Sequence, residues 1–300
     1  MLVIFFTALL LPPLGVVVGI FSPAPLIIIS LKRGKHAGLI TTGLVFLALL
    51  MATGIQQALF FVAEYAVLAI IIAEMVRQEL SFDKCILFSV IGSAILSGLL
   101  LILVFSGKEV SLTEFLQQQV KTHFEQSLEA LKTVKQDDVD LATMEQFMEK
   151  TSRSFAASYP AIIVVGSLMG ALLNYSLARW VMQRFYAGTC SFVGSFSVWV
   201  LPDFIIWIFI LSAGSLFFPD GELESLGLNF FIVTAAVYGL QGMAVVVHFL
   251  DKKSVPVLLW IIVFILIFSQ PLLIGALLGL GLFDLWLDFR KLRVKPVVED

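Results

Sequence analysis

Long apolar runs, separated by short polar segments, occupy most of the chain. A helix rises about 1.5 Å per residue, so most of these runs are long enough to cross a hydrocarbon core of about 30 Å. Because a backbone in lipid must satisfy its hydrogen bonds internally, such runs predict transmembrane helices. They lie at residues 1–31, 37–51, 53–78, 85–105, 155–180, 198–218, 229–249 and 255–287. The pattern therefore predicts an all-α, polytopic transmembrane helix bundle with about 7–9 membrane segments.

Prolines interrupt the first and the last of these runs. Pro12-Pro13 and Ser22-Pro23-Ala24-Pro25 break the run 1–31, which is either one kinked helix or a helix followed by a short re-entrant piece. This run lacks the early basic residue of a signal peptide, so we expect it to be retained. Gln270-Pro271 breaks the run 255–287, which would form a helix of about 50 Å, too long for one untilted crossing. The last run is therefore one kinked helix or two short arms.

The segment 106–154 differs from the apolar runs. It contains six Lys/Arg and nine Asp/Glu residues. Ser111-Leu112-Thr113-Glu114 matches a capping box, and apolar residues follow it at near-helical spacing. A second amphipathic helix is predicted to start near Asp140. We expect an extramembrane amphipathic helical hairpin, which either caps the bundle and membrane surface or docks a partner.

These patterns divide the chain into four regions of one integrated membrane domain. The regions are membrane helices at 1–105, the insertion at 106–154, membrane helices at 155–289 and a basic and acidic tail at 290–300.

Composition supports a membrane protein and excludes other classes. Hydrophobic residues make up 59% and charged residues 14% of the chain, and the mean hydropathy is +1.01. Soluble domains have about 45–50% apolar and about 25% charged residues. The net charge of −3 and the mixed charges of the insertion give no basis for nucleic-acid binding. Cys85 and Cys190 lie in segments predicted to be near the cytoplasm, so we expect no structural disulfide.

Basic clusters predict the orientation of the chain in the lipid bilayer. They occupy residues 32–35, 77–84, 179–184 and 252–253. Each is separated from the next by two predicted spans, so all can lie on the cytoplasmic side. The basic residues at 290–295 join them if the last run enters the membrane and returns. We expect a multi-pass protein of the bacterial cytoplasmic (inner) membrane, with cytoplasmic basic loops and C-terminus and with 106–154 external.

Glu64 is the centre of the predicted ligand site. It lies within the apolar run 53–78, where a charged side chain costs about 2.5 kcal/mol or more and should face protein, water or a ligand. Gln57 lies two helical turns earlier on the same face. Asn174 and Trp199 complete the candidate ligand-binding set, in which aromatic rings would stack on the ligand. Alternatively, Glu64 makes only an interhelical hydrogen bond that stabilises the bundle.

Other residues are expected to have structural roles. Small-xxx-small spacing, which favours close helix packing, occurs at Gly166 and Gly170 and at Gly275 and Gly279. Polar residues expected at cytoplasmic helix ends, where they cap, pair with arginine or reach water, are Glu74, Asp203, His248 and Asp284.

Signatures of known catalytic sites are absent from the sequence. There is no GxxxxGK[ST] phosphate loop, no HExxH zinc pair and no GxSxG nucleophile elbow. We therefore expect no enzyme, no catalytic residues, no metal and no cofactor. If the protein transports a solute, its energy must come from an ion gradient or from a separate ATPase.

Several short motifs carry a resemblance to a known family. They are Ser22-Pro23-Ala24-Pro25 with Arg33-Gly34, Leu201-Pro202-Asp203, Gln241-Gly242 through His248, and Gly281-Leu282-Phe283-Asp284 with Asp288-Phe289-Arg290-Lys291. In these motifs the chain resembles the YybS-like family, which comprises uncharacterised bacterial membrane proteins with a domain of unknown function. That family is distantly similar to the substrate-binding S components of energy-coupling-factor vitamin transporters, compact bundles of about six helices, so the resemblance implies solute binding by analogy of fold. The insertion at 106–154 departs from the S-component pattern.

Two functions follow from these patterns. The first is a small-solute-binding or transport subunit that resembles a transporter S component and lacks its own ATPase. Its expected partners are a small solute and a separate energising subunit. The second is a structural or assembly membrane protein whose 106–154 hairpin docks a partner. Glu64 and the proline-interrupted spans favour the first function, and the amphipathic helices favour the second.

Overall fold

Ten α-helices account for most of the described chain. The computed structural model describes residues 19–105, 114–115, 117–118, 120–122, 141–218 and 221–293. The helices are α1 (Pro23–Arg33), α2 (Lys35–Thr53), α3 (Ile55–Phe61), α4 (Val67–Arg77), α5 (Phe82–Phe105), α6 (Leu141–Phe185), α7 (Ile205–Ser215), α8 (Gly221–Lys252), α9 (Val257–Ser269) and α10 (Pro271–Leu287). A π-helical turn, Val62–Ala66, joins α3 to α4. A 3-10 turn, Phe196–Val198, lies between α6 and α7.

The predicted helical membrane character is confirmed, but the predicted number of segments is not. Among the described residues, five helices are long and apolar enough to cross a membrane, or up to six if α9 and α10 form one bent span. The run 198–218 contains only the short helix α7, since Pro202 disfavours helical backbone at the residue before it. Residues 1–18 of the first predicted run lie outside the described residues. The predicted interruption at Gln270 is present, because α9 and α10 meet there at 105°.

Helix α6 continues without a break across residue 154, where the sequence analysis placed the end of the insertion. Its 45 residues correspond to about 68 Å of helix, roughly twice the thickness of the hydrocarbon core. Part of α6 must therefore extend beyond the lipid if the helix spans the bilayer. Most of the first predicted amphipathic helix and the tail from residue 294 lie outside the described residues, so the hairpin is not confirmed.

Pro160 lies inside α6 and removes one backbone hydrogen bond of the helix. Asn229 of α8 contacts the backbone beside it. Its Nδ2 group donates to Ala157 O at 2.7 Å, and its Oδ1 atom accepts from Ala161 N at 2.8 Å. The amide of Asn229 therefore bridges backbone groups on both sides of the proline. The hydrogen bond that Pro160 itself removes is to Ala156 O. Asn229 therefore satisfies the adjacent backbone pair, Ala157 O and Ala161 N, next to the proline.

The main core of the bundle forms where α1, α4, α5 and α6 pack together. Fully buried side chains in this core include Ile27, Phe61, Leu68, Ile72 and Tyr175. Helix α9, in contrast, has no buried residue, and many large apolar side chains elsewhere are exposed. In a membrane protein such side chains face acyl chains, which are as apolar as a protein interior.

Helices α8 and α10 approach each other closely at two glycines. A Cβ atom on Gly281 would lie 1.9 Å from Tyr238 O, and one on Gly242 would lie 2.0 Å from Leu277 O. Backbone atoms cannot move aside as a flexible side chain can. Both positions therefore require glycine.

The glycines predicted from small-xxx-small spacing have more open surroundings. An added Cβ atom would meet nothing within 4 Å at Gly166, Gly275 or Gly279, and at Gly170 it would meet Leu68 Cδ1 at 3.8 Å. Within the described residues, the closest helix packing thus occurs at other glycines. A packing role for the predicted glycines stays a prediction.

The segment 186–204, between α6 and α7, brings several basic clusters to one end of the bundle. Its contacts are Lys32 Nζ 4.0 Å above the Tyr186 ring, Phe82 N with Val193 O at 2.9 Å, Arg179 Nη1 with Gly194 O, Arg290 Nη1 with Ser197 O at 3.0 Å, and Arg293 Nη1 with Asp203 Oδ1 at 2.7 Å. The clusters at 32–35, 77–84, 179–184 and 290–293 therefore share one end of the bundle, which we call the basic end. This arrangement agrees with the positive-inside pattern.

Candidate functional site

Glu64 lies in the π-helical turn Val62–Ala66, in the middle of an otherwise α-helical span. Its carboxylate is half-buried and faces α5, where Ser97 Oγ donates to Glu64 Oε1 at 2.6 Å. Ser93, one turn earlier on α5, donates to Ala63 O at 3.2 Å. Two serines of one helix therefore contact the π-helical turn. The hydrogen bond of Glu64 to another helix, left open as the alternative interpretation, is present.

Gln57 and Asn174 lie in different surroundings from each other. Gln57 is exposed. Asn174 is fully buried, and its Nδ2 group donates to Ile20 O and Gly170 O, both at 2.7 Å. Its Oδ1 atom is buried and accepts no hydrogen bond within the part of the chain that the structure describes. No hydrogen bond among the described residues joins any two of Gln57, Glu64, Asn174 and Trp199, so their grouping as one ligand site stays a prediction.

A cleft of about 300 Å³ opens at the basic end, between α5, α6, α8, α9 and the segment 186–204. Aromatic side chains line it, including Phe82, Tyr175, Phe196 and Trp260. The Phe82 and Tyr175 rings meet edge to face with their centres 5.1 Å apart. Trp199 stacks on Phe196 at 6.1 Å. The predicted residue Trp199 therefore supports the aromatic wall of the cleft.

Charged and polar groups complete the cleft. Arg179, one turn after Tyr175 on α6, and Asp251, near the end of α8, both line it. The guanidinium of Arg179 also donates to Gly194 O. The Tyr175 hydroxyl is buried and has no hydrogen-bond partner among the described residues. Because a buried polar group without a partner costs about 1–3 kcal/mol, a bound molecule that reached this hydroxyl would gain a favourable hydrogen bond.

Asp284 and Arg290 form a buried ion pair behind the wall of the cleft. Arg290 Nη2 donates to Asp284 Oδ2 at 2.7 Å, and the two side chains are 0% and 3% exposed. Gln241 Nε2 donates to the same carboxylate oxygen at 2.8 Å, while Gln241 Oε1 accepts from Leu201 N at 3.1 Å. Arg290 also donates to the backbone of Ser197, which lines the cleft. The network therefore connects α8, α10 and the segment that forms one wall.

The other polar residues predicted at helix ends have separate partners. Asp203 accepts from Arg293 at 2.7 Å, and Glu74 pairs with Arg77 at 3.2 Å. The His248 ring lies edge to face with its neighbour Phe249. Asp284 differs from these three because it is buried rather than placed where it reaches water.

Among the residues that the structure describes, two titratable groups outside the membrane spans have shifted pKa values. Partial burial raises the pKa of the Cys190 thiol in the segment 186–204. Burial also acts to raise the pKa of Asp288, but the backbone N–H groups of Arg293 and Leu292 and the charge of Arg293 outweigh it, so the pKa of Asp288 lies below its usual value. Asp288 therefore stays ionised as it closes the C-terminal end of α10.

Sequence reasoning assigned no site role to Tyr175, Arg179 or Arg290, although the basic clusters already included Arg179 and Arg290. Tyr175 and Arg179 carry no motif, and only their spacing of one helical turn relates them. Arg290 does lie in a quoted motif. Three of the motifs that suggested a family meet in space, because Leu201, Gln241, Asp284 and Arg290 form one hydrogen-bonded network.

The lining of the cleft suits binding by hydrogen bonds, charge pairing and aromatic stacking. Among the described residues there is no group of three or more His, Cys, Asp or Glu side chains that could hold a metal ion.

Comparisons with known proteins confirm the resemblance to a family. The family model described as predicted membrane protein (DUF2232) matches residues 1–285. A relative, the uncharacterized protein YybS of Bacillus subtilis (strain 168), is 23% identical over 291 residues, which cover 93% of this chain and 90% of the relative. No solved structure matches. These comparisons do not show the further likeness to transporter S components.

Proposed function

The chain belongs to the DUF2232 family of predicted membrane proteins, and from this premise we propose that it is a membrane subunit that binds a small solute at the basic end. In this proposal the subunit takes part in transport and has no ATPase of its own. The cleft between Phe82, Tyr175, Arg179 and Asp251 is the observation that carries the proposal.

The chemistry of the cleft suggests a class of solute. Its aromatic walls would stack on a flat or apolar group, while Arg179 and Asp251 offer charges of both signs. The unpaired Tyr175 hydroxyl would donate to, or accept from, a polar group of the solute. A small molecule with one planar part and one or more polar groups matches this set. A volume of about 300 Å³ is at the lower limit of ordinary ligand sites, about 300–1,000 Å³.

Native mass spectrometry of the purified full-length protein tests this proposal. The wild-type protein should retain a small molecule from the cell, and Tyr175→Phe should weaken its retention about fivefold to tenfold, since one hydrogen bond is worth about 1 kcal/mol. Tyr238→Phe is the matched control, because the Tyr238 hydroxyl is also buried without a partner but does not line the cleft. Equal loss in both variants, or no retained molecule in the wild type, would contradict the proposal.

The proposed orientation places the basic end in the cytoplasm of a bacterial inner membrane, as the positive-inside rule favours. Cys190 tests it, because this residue lies at the basic end and is partly exposed, whereas Cys85 is fully buried. A membrane-impermeant maleimide should label Cys190 in inside-out vesicles but not in intact cells. The reaction should be run at mildly alkaline pH, since burial raises the pKa of Cys190 and the thiolate is the reactive form. Cys190→Ser should remove the label. Labelling of Cys190 in intact cells would contradict the proposed orientation, because it would show that the basic end faces outward.

A second function is favoured by the length of α6. In this second proposal the first part of α6 lies beyond the lipid. It contributes Met148, Glu149 and Ser152 to a groove of about 680 Å³, which residues between 114 and 121 also line. A groove outside the bilayer is a suitable place to dock a partner protein. If the subunit serves assembly, deletion of residues 110–150 should remove a co-purifying partner. Recovery of every partner after that deletion would exclude this second function.

A further inference from the structure

The π-helical turn at Glu64 is the most unusual backbone feature within the spans of the described chain. Glu64 lies 13 residues before Arg77, which ends the span at the basic end, so the carboxylate is about 20 Å along the helix from that end. Gln57 begins the span at the other end, and the same rise per residue places Glu64 about 10 Å from it along the helix. Glu64 therefore lies within the hydrocarbon region if the span crosses the bilayer. A π-helical turn widens the backbone locally, and such turns recur at functional sites.

Among the described residues, Glu64 has a hydrogen-bond donor but no positive partner. Ser97 Oγ donates to it at 2.6 Å, a length typical of a hydroxyl that donates to a carboxylate. Within the described part of the chain, none of the ion pairs includes Glu64. Tyr65 on the same turn and Tyr159 on α6 lie close enough to interact with it electrostatically. Neither tyrosine supplies a positive charge.

An ionised carboxylate without a positive partner is costly in lipid, whereas the protonated acid is much less so. The carboxylate is half-buried, so part of it is accessible from outside the helix bundle. The π-helical turn continues directly into α4, which packs in the main core. The turn itself contacts α1, α4 and α5. A change of charge at Glu64 therefore acts on helices that pack against one another.

We propose that Glu64 is a reversible proton-binding site within the membrane, with Ser97 as the donor that stabilises its ionised form. Binding adds one proton to the Glu64 carboxylate, and release returns that proton to water. The proposal rests on the proposed function only for its consequence, namely that solute uptake would draw on the proton gradient. The proton site itself stands or fails independently of the solute cleft.

A proton fits this site better than a metal cation. Metal cations that bind oxygen take about six to eight oxygen ligands, and the site offers one carboxylate and the hydroxyl of Ser97. The Ser93 hydroxyl already donates to Ala63 O. A proton requires only the carboxylate.

Carbodiimide labelling tests the proposal on the full-length protein in lipid nanodiscs. Dicyclohexylcarbodiimide enters lipid and modifies protonated carboxyl groups, and peptide mass spectrometry locates the modified residue. Glu64 should be labelled at acidic pH, and its label should decrease as the pH rises. Glu64→Gln should abolish this label. Ser97→Ala should extend labelling of Glu64 to higher pH, because the ionised form loses its donor.

Asp284 is the internal control of the same experiment. It is buried and paired with Arg290, so it should remain unlabelled at every pH at which Glu64 reacts. Absence of label at Glu64 over the whole pH range would overturn the proposal, as would labelling that does not change with pH. Protection by sodium but not by potassium at equal ionic strength would also overturn it, in favour of a sodium site.

Infrared difference spectroscopy keeps the proposal testable if the reagent does not reach Glu64. The C=O stretch of a protonated carboxyl group should appear on acidification of the wild type and be absent from Glu64→Gln. Its absence from the wild type would overturn the proposal. A proton signal without a retained solute would contradict only the proposed function. A retained solute without a proton signal would contradict only the proton site.

Discussion

Glu64 and Asp284 are two carboxylates of the bundle with opposite surroundings. Asp284 is 3% exposed, shares one oxygen between Arg290 and Gln241, and lies where α8 and α10 meet at glycines. Glu64 is half-buried and has one serine hydroxyl as its partner. A paired carboxylate in a rigid contact has little freedom to change its charge. An acid whose partner is one hydroxyl and no positive charge would have that freedom, so under our proposal the partners rather than the depth distinguish the structural acid from the exchangeable one.

Arg290→Gln should have the largest effect and would sharpen this comparison most. It leaves the Asp284 carboxylate buried without its counter-charge, and breaking a buried ion pair from one side costs about 3–5 kcal/mol. Thermal unfolding of the purified protein should show a strongly destabilised variant. The double variant Asp284→Leu/Arg290→Met should recover much of the loss, because it leaves no uncompensated charge. Equal stability of wild type and Arg290→Gln would show that the pair is not essential to the contact between α8 and α10.

Gly281→Ala should have the next largest effect. The added Cβ would lie 1.9 Å from Tyr238 O, and overpacking of this kind costs about 1–3 kcal/mol or more. Gly279→Ala on the same helix is the matched control, since its Cβ meets nothing within 4 Å. The two variants should separate clearly in a thermal unfolding measurement. Indistinguishable unfolding temperatures would contradict the close contact.

Glu64→Gln should change stability less than either of these variants. Its amide oxygen can still accept from Ser97, so the loss should stay below about 1.5 kcal/mol. Any effect on solute uptake in cells should be much larger than this change in stability. A loss of stability as large as that of Arg290→Gln would break the comparison, because it would make Glu64 a structural acid like Asp284.

Acidification should reveal the smallest effect, at Asp288. Its pKa is lowered in the folded protein, so its contribution to stability is present above the usual pKa of 3.8 and is lost as the pH falls through the lowered value. Asp288→Asn should remove this dependence while keeping the left-handed backbone, with φ of 40°, that asparagine also tolerates. Unfolding between pH 5 and pH 2, compared for the two proteins, measures the difference. An identical acid profile would assign the loss to other carboxylates.

Part of the fold could be predicted from the sequence because long apolar runs favour membrane helices, although the predicted number of spans is not confirmed. The helical spans, the interruption at Gln270 and the grouping of basic clusters at one end follow from local composition. The extent of α6 could not be predicted, because its polar first part and apolar second part look like separate elements although the backbone is continuous.

The site could be predicted only in part, because side-chain partners depend on contacts between distant segments. Glu64 is conspicuous in the sequence, but its π-helical turn carries no local signal. Arg290 seemed to belong to a charged tail, yet it folds back to bury its guanidinium against Asp284, six residues earlier. The Tyr175 hydroxyl is notable only once its lack of a partner is seen.

The continuity of α6 has a mechanical consequence. The same rod carries Met148 and Glu149 in the groove of about 680 Å³ and Tyr175 and Arg179 in the cleft. Its weakest point, Pro160, is held by the amide of Asn229. With that joint held, a torque applied at the groove end of α6 would be transmitted along the rod to the cleft instead of being absorbed by bending halfway.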